Sequence, residues 1–134
     1  MILVDTNVLL DIVTDDPVWA DWSIQQLESA SLRGPLLIND VVYAEWSIGY
    51  EHIEALDNAI AHMALLFHRV PTSALFLAGK AFRQYRSQAG TKDSVLPDFF
   101  IGAHAAVLDI PLLTRDTGRY RRYFPTLSLI TPRL

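Results

Sequence analysis

The chain has no cysteine, which excludes disulfides, zinc–thiolate centres and thiol nucleophiles while saying little about compartment. Positive charge is nearly missing from its first half. Through His68 the single base is Arg33, set against eleven acids, a net of −10. No uninterrupted apolar stretch approaches the ~18 to 20 residues that span a bilayer. No Lys or Arg precedes Arg33 to make the basic start of an export signal. The expectation is therefore no membrane association and a cytoplasmic location. The marks of several enzyme classes are missing too. There is no Walker-type glycine loop, and Ser23, Ser47 and Ser94 lack the context of a nucleophile elbow. His52, His62, His68 and His104 show no His-x-x-x-His spacing and none neighbours a nucleophile. NTPase, serine-hydrolase and zinc-hydrolase chemistry are all disfavoured. His104 follows Asp98 by six positions, on a different helix face, which points to partial burial or exposure rather than catalysis.

What is present is a chain of 134 residues, the length of one domain with a sheet covered by helices. Ile2–Val4 is a short apolar strand, and Asp5-Thr6-Asn7 supplies oxygens that cap a following helix. Asp15-Asp16-Pro17 opens a helix running to about Arg33. Leu36 to Ile38 reads as a second strand, followed by a helix from about Val41 to Ile48. Further helices are expected over about Ile53 to Ala64, Ser73 to Ser87 and Pro97 to Leu108, with strands near Leu66 to Val70, Pro111 to Thr114 and Ser128 to Ile130. Gln88 to Leu96 reads as a loop. This alternation predicts an α/β fold of three layers, a central parallel sheet of about four to five strands with helices on both faces. In such sheets ligands bind beyond the carboxyl ends of the strands, where the strand order reverses.

Four acids sit where an apolar segment meets a helix: Asp5, Glu45, Asp98 and Asp116. Asp5 and Asp116 follow strands. Glu45 lies one turn into its helix, and Asp98 follows Pro97 at the start of another. Two bare carboxylates ~4 Å apart repel by about 4 kcal/mol at an effective dielectric of ~20. Four in one pocket must be protonated or neutralised by a cation, and hard oxygen ligands suit Mg²⁺ or Mn²⁺. The competing reading of each acid alone is a helix cap or a partner for an Arg. Asp93 is a further acid nearby, either at the site or decorating the loop.

The second half reverses the charge, with ten bases against four acids. Lys80, Arg83, Arg86 and Lys92 form one cluster and Arg115, Arg119, Arg121 and Arg122 another. These are either solvated faces or a surface for a phosphate backbone. Trp19, Trp22, Trp46, Phe99 and Phe100 fall near the acids, as core or as a partner groove.

Motif by motif the chain resembles a PIN domain, in particular the VapC ribonuclease toxins of VapBC toxin–antitoxin pairs. The resemblance rests on Ile2-Leu3-Val4-Asp5-Thr6-Asn7-Val8-Leu9-Leu10, on Ala44-Glu45, on Pro97-Asp98 with Ile101-Gly102-Ala103, and on Pro111-Leu112-Leu113-Thr114-Arg115-Asp116. It covers essentially residues 1–134 as a single PIN domain. It implies that Asp5, Glu45, Asp98 and Asp116 bind divalent metal and catalyse RNA hydrolysis through metal-activated water, leaving 5′-phosphate and 3′-hydroxyl ends. It also implies homodimerisation and silencing by a VapB-like antitoxin that can send a basic side chain into the acid pocket. Thr6, Asn7 and Thr114 either orient carboxylates and water or cap helices and strand ends. Arg115 either touches phosphate or turns outward. Two alternatives stand beside the nuclease: a non-catalytic PIN-fold module that binds RNA or protein, and an Asp-dependent phosphatase. The phosphatase would want a second Asp where Asn7 stands.

Overall fold

Ile2–Val4 forms strand β1, with all three side chains buried. In the computed structural model, which describes residues 1–88, 90–92 and 95–132, β1 is the centre of a sheet. Its companions are β2 (Leu36–Ile38), β3 (Leu65–Phe67), β4 (Leu112–Leu113) and β5 (Leu129–Ile130). All pairings are parallel, in the order β3-β2-β1-β4-β5. Leu3 is flanked by Leu37 on one side and Leu112 on the other. Apolar side chains on both faces suit a sheet sandwiched between helices.

Among the described residues seven helices connect the strands: α1 (Thr6–Val13), α2 (Ala20–Ser31), α3 (Asp40–Ser47), α4 (Ile53–His62), α5 (Thr72–Ser87), α6 (Leu96–Leu108) and α7 (Gly118–Tyr123). The chain steps outward from β1 to β3 and then crosses back to lay β4 on the far side of β1. Right-handed crossovers in opposite directions put α5 and α6 on the face opposite α1 to α4. The strand order reverses between β1 and β4, and a crevice opens beyond their carboxyl ends.

Several boundaries differ from the sequence expectation for local reasons. Asp16 caps the turn that opens at Pro17, as expected, but not α2 itself. Its Oδ1 accepts the N–H groups of Val18 and Trp19 at 2.9 Å, closing a turn, and α2 starts at Ala20. β3 ends at Phe67, short of Val70: His68 N–H still reaches Ile38 O at 2.9 Å, and Val70 N–H then donates to Asp40 Oδ1 at 2.7 Å. His104 is fully buried rather than partly exposed. Asn39 Oδ1 accepts Val42 N–H at 2.9 Å, so its Nδ2 donates to His104 Nδ1 at 3.1 Å. With Nδ1 accepting, the His104 proton sits on Nε2, 3.0 Å from His68 Nδ1, which also lies 3.0 Å from the Arg69 carbonyl oxygen. Of the aromatics near the acids, Trp46 and Phe99 are core, while Trp19, Trp22 and Phe100 are partly buried. Asp93 lies outside the described residues. Among the described residues no helix is long and apolar enough to cross a membrane.

Helix α7 has no counterpart in the sequence reading. Six residues with three bases carry no apolar period, and its place is set by tertiary packing. Buried Tyr120 and Phe124 lie over Gly102 of α6, where an added Cβ would fall 2.7 Å from the Phe124 ring and 3.0 Å from Tyr120. Gly102→Val should therefore lower stability by about 1 to 3 kcal/mol, the usual cost of overpacking, read as an earlier denaturation midpoint in urea. An unchanged midpoint would mean that α7 does not seat on α6 through this contact.

Candidate active site

Asp5 is the first residue past β1 and the N-cap of α1. Its backbone is extended (φ −73°, ψ 151°) and its Oδ1 accepts Thr6 N–H at 2.7 Å. Oδ2 accepts the hydroxyls of Thr114 and Tyr120, each at 2.8 Å. Asn7 Nδ2 is a third, longer donor to Oδ2 at 3.5 Å, so the remaining acceptor site of this buried carboxylate is on Oδ1. Thr114, just past β4, gives its proton to Asp5 and accepts from Asn7 Nδ2 at 3.2 Å and from Asp116 N–H at 3.0 Å. Asn7 Oδ1 accepts Arg115 N–H at 3.3 Å. The ends of the two neighbouring strands are thus stitched together by side chains.

Glu45 comes from α3, where the Asn39 cap fixes the helix start. Its Oε1 accepts the Thr6 hydroxyl at 2.7 Å. Asp98 stands in the first turn of α6, next to the proline at the helix start. Asp5, Glu45 and Asp98, with Thr6, Asn7, Leu10 and Ile48, line one cleft of about 250 Å³. Asp116 is not in that lining. It lies beside it, joined to Thr114 through its N–H and to Arg119 Nη1 at 3.5 Å. The same Arg119 nitrogen donates to Asp98 Oδ2 at 2.5 Å.

Arg115 takes no part in the cleft. Its guanidinium forks onto buried Asp11 of α1 (Nε to Oδ2 2.6 Å, Nη2 to Oδ1 2.8 Å), stands over the Trp19 ring, and shares Asp11 with the Ser23 hydroxyl. Arg115 does not turn outward: its side chain is held against α1. Sequence reasoning missed Tyr120 and weighed Arg119 only as one of a basic cluster. Their sole sequence signal is a position shortly after the Thr114-Arg115-Asp116 motif.

Burial pushes the Asp5 carboxyl up to about 6, against the pull of the Thr114 and Tyr120 hydroxyls and Thr6 N–H, with Glu45 adding to the rise. Burial also pushes Asp98 up to about 7, reinforced by Asp5, and one Arg119 does not offset it. The Tyr120 hydroxyl is held well above its ordinary range by burial and the nearby acids. Oxygen-only donors that resist joint ionisation without a counter-charge suit a hard divalent cation. Among the described residues no three acid or histidine side chains converge closely enough to enclose an ion. A hydrated Mg²⁺ asks for only one or two direct carboxylates, so these residues fit such an ion.

The sequence matches the PIN domain over residues 2–125. The chain belongs to the PIN-domain family. Solved structures similar to this PIN domain include VapBC2 from Rickettsia felis bound to a promoter DNA fragment (TM-score 0.75, 20% identity, 99% of this chain and 100% of that one). A toxin–antitoxin complex from Klebsiella pneumoniae aligns with TM-score 0.71 at 20% identity, over 99% of this chain and 98% of the other. VapBC-1 from nontypeable Haemophilus influenzae aligns with TM-score 0.70 at 18% identity, over 98% of each chain. At such identities the likeness is one of fold. No curated protein matches the sequence.

The raised carboxyls give a stability signature for the metal-free protein. Unfolded Asp releases its proton near 3.8, whereas folded Asp98 keeps it to about 7. Between those values the native state binds more protons than the unfolded one, so this group's contribution to stability falls as pH rises. Buried His104, lowered to about 4 by burial and then by His68, contributes with the opposite sign below about 6.5. The difference between Asp98→Asn and wild type isolates the carboxyl. In chelator, the melting temperature of Asp98→Asn relative to wild type should climb from pH 4 to pH 7.5; a flat difference would mean that the folded Asp98 carboxyl does not hold its proton above the ordinary range.

Proposed function

We propose that this PIN domain is a Mg²⁺- or Mn²⁺-dependent endoribonuclease and the toxin of a type II toxin–antitoxin pair. The observation that carries the reading is the meeting of Asp5, Glu45 and Asp98 on one cleft at the point where the strand order reverses. Bound there, a divalent cation supplies a more acidic water and neutralises charge on phosphoryl oxygens. The chain's own residues do the holding. Asp5 offers a single free lone pair on Oδ1, because Thr114 and Tyr120 occupy Oδ2. Thr6 fixes the Glu45 carboxylate, and Asp98 and Asp116 add negative charge at the rim. Thr6 and Thr114 are positioning residues, acting through the acids they hold.

RNA as substrate is supported by the charge of the second half of the chain, ten bases against four acids, which suits a phosphate backbone. The antitoxin partner, a VapB-like protein, is supported by the similar solved structures, which are toxin–antitoxin complexes. A homodimer in the cytoplasm completes the reading. Asn7, whose amide bridges Thr114 and Arg115 N–H, stands where a phosphatase would need an acid, and that alternative gains nothing from the site.

Purified protein incubated with total RNA should give discrete fragments with 5′-phosphate ends in Mg²⁺ or Mn²⁺ and none in chelator. Losing a residue that only supports a ligand costs ~10- to 100-fold, so Asp5→Asn should lower the rate by on the order of 10²-fold or more while the circular-dichroism spectrum stays native. Metal-independent cleavage, or full activity in Asp5→Asn, would contradict the assignment. RNA binding without cleavage in any metal would favour the non-catalytic module.

A further inference from the structure

The acidic site already contains a cation of its own. Arg119 projects from the first turn of α7, and one guanidinium nitrogen lies 2.5 Å from Asp98 Oδ2 and 3.5 Å from Asp116 Oδ2. All three side chains are only partly exposed, at 25% for Arg119, 27% for Asp98 and 41% for Asp116. The helix that carries Arg119 is anchored at the next residue. Tyr120 is fully buried, packs over Gly102 and donates to Asp5, so the backbone that carries Arg119 is anchored at the edge of the cleft.

We infer that Arg119 is a built-in counter-cation that competes with divalent metal for Asp98 and Asp116, and so holds metal affinity down. The inference rests on the metal-site reading proposed above. Asp98 is the one acid that both lines the cleft and pairs with this guanidinium. A divalent ion entering the cleft meets one of two conditions. Either Arg119 stays and its positive charge repels the ion, or it swings away and two ion pairs are lost. Both outcomes weaken metal binding relative to a neutral side chain of similar size. A guanidinium that merely oriented Asp98 would do the reverse, since its removal would loosen a metal ligand. The two roles therefore predict opposite signs.

The test is calorimetric titration of the purified full chain with Mn²⁺, comparing wild type, Arg119→Gln and Arg121→Gln. Arg121 is exposed on the same helix, so its substitution makes the same change in net charge without touching Asp98. Arg119→Gln should bind Mn²⁺ roughly three- to tenfold more tightly, a modest factor suited to partly exposed ion pairs, and Arg121→Gln should stay within about twofold of wild type. Melting temperatures provide a second readout, with a larger rise on adding Mn²⁺ in Arg119→Gln than in wild type. Wild-type binding with equal or weaker binding by Arg119→Gln would overturn the counter-cation role and leave the metal site standing. Equal tightening in both variants would reduce the effect to net charge and overturn it too. No Mn²⁺ binding by any of the three proteins would overturn it together with the metal reading.

Discussion

Everything at the cleft depends on a carboxylate buried at the end of the central strand. Placing Asp5 there is costly, because an ionised carboxyl loses its hydration. The chain offsets that cost with donors from three separate segments: Thr6 N–H at the start of α1, the Thr114 hydroxyl beyond β4, and the Tyr120 hydroxyl on α7. The offset is incomplete, and the carboxyl remains raised to about 6. The same three donors tie α1, β4 and α7 to one atom group, so the site and the closure of the fold on that side of the sheet share their hydrogen bonds.

Around Asp5 the charges are arranged in tiers. Glu45 and Asp98 approach it from α3 and α6; the Glu45 charge adds to the rise of Asp5, and Asp5 and Glu45 both add to that of Asp98. Arg119 answers part of that charge from the rim, and Arg115 is withheld from it by Asp11. A site so under-compensated is poised to gain from a divalent cation. It is also easily muted by any positively charged group that reaches Asp98, which is the logic by which an inhibitory partner with a basic side chain would act.

Much of this was legible in the sequence because the informative features are local. An apolar triplet ending in Asp5-Thr6-Asn7, an Asn cap before Val41 and a proline before Asp98 each declare a strand end or helix start with few neighbours involved. The alternation of strands and helices then places those ends on one edge of a parallel sheet. What stayed hidden depends on partners far away in the chain. Helix α7 exists because Gly102 makes room for Tyr120 and Phe124, and nothing within residues 118–123 announces it. Arg115 turns to Asp11 more than a hundred positions away. His104 is buried because Asn39 and His68 satisfy both ring nitrogens, which its place on the helix could not reveal.

The proposed activity requires a hard divalent cation at the end of β1, held by Asp5 and its neighbouring acids. The most direct measurement is the anomalous-scattering map of a crystal of the protein soaked in Mn²⁺. A peak is expected in the cleft within coordination distance of Asp5 Oδ1, the oxygen left with an open lone pair, with Glu45 or Asp98 nearby directly or through water. A fully loaded crystal with peaks only elsewhere on the surface, or none in the cleft, would contradict it.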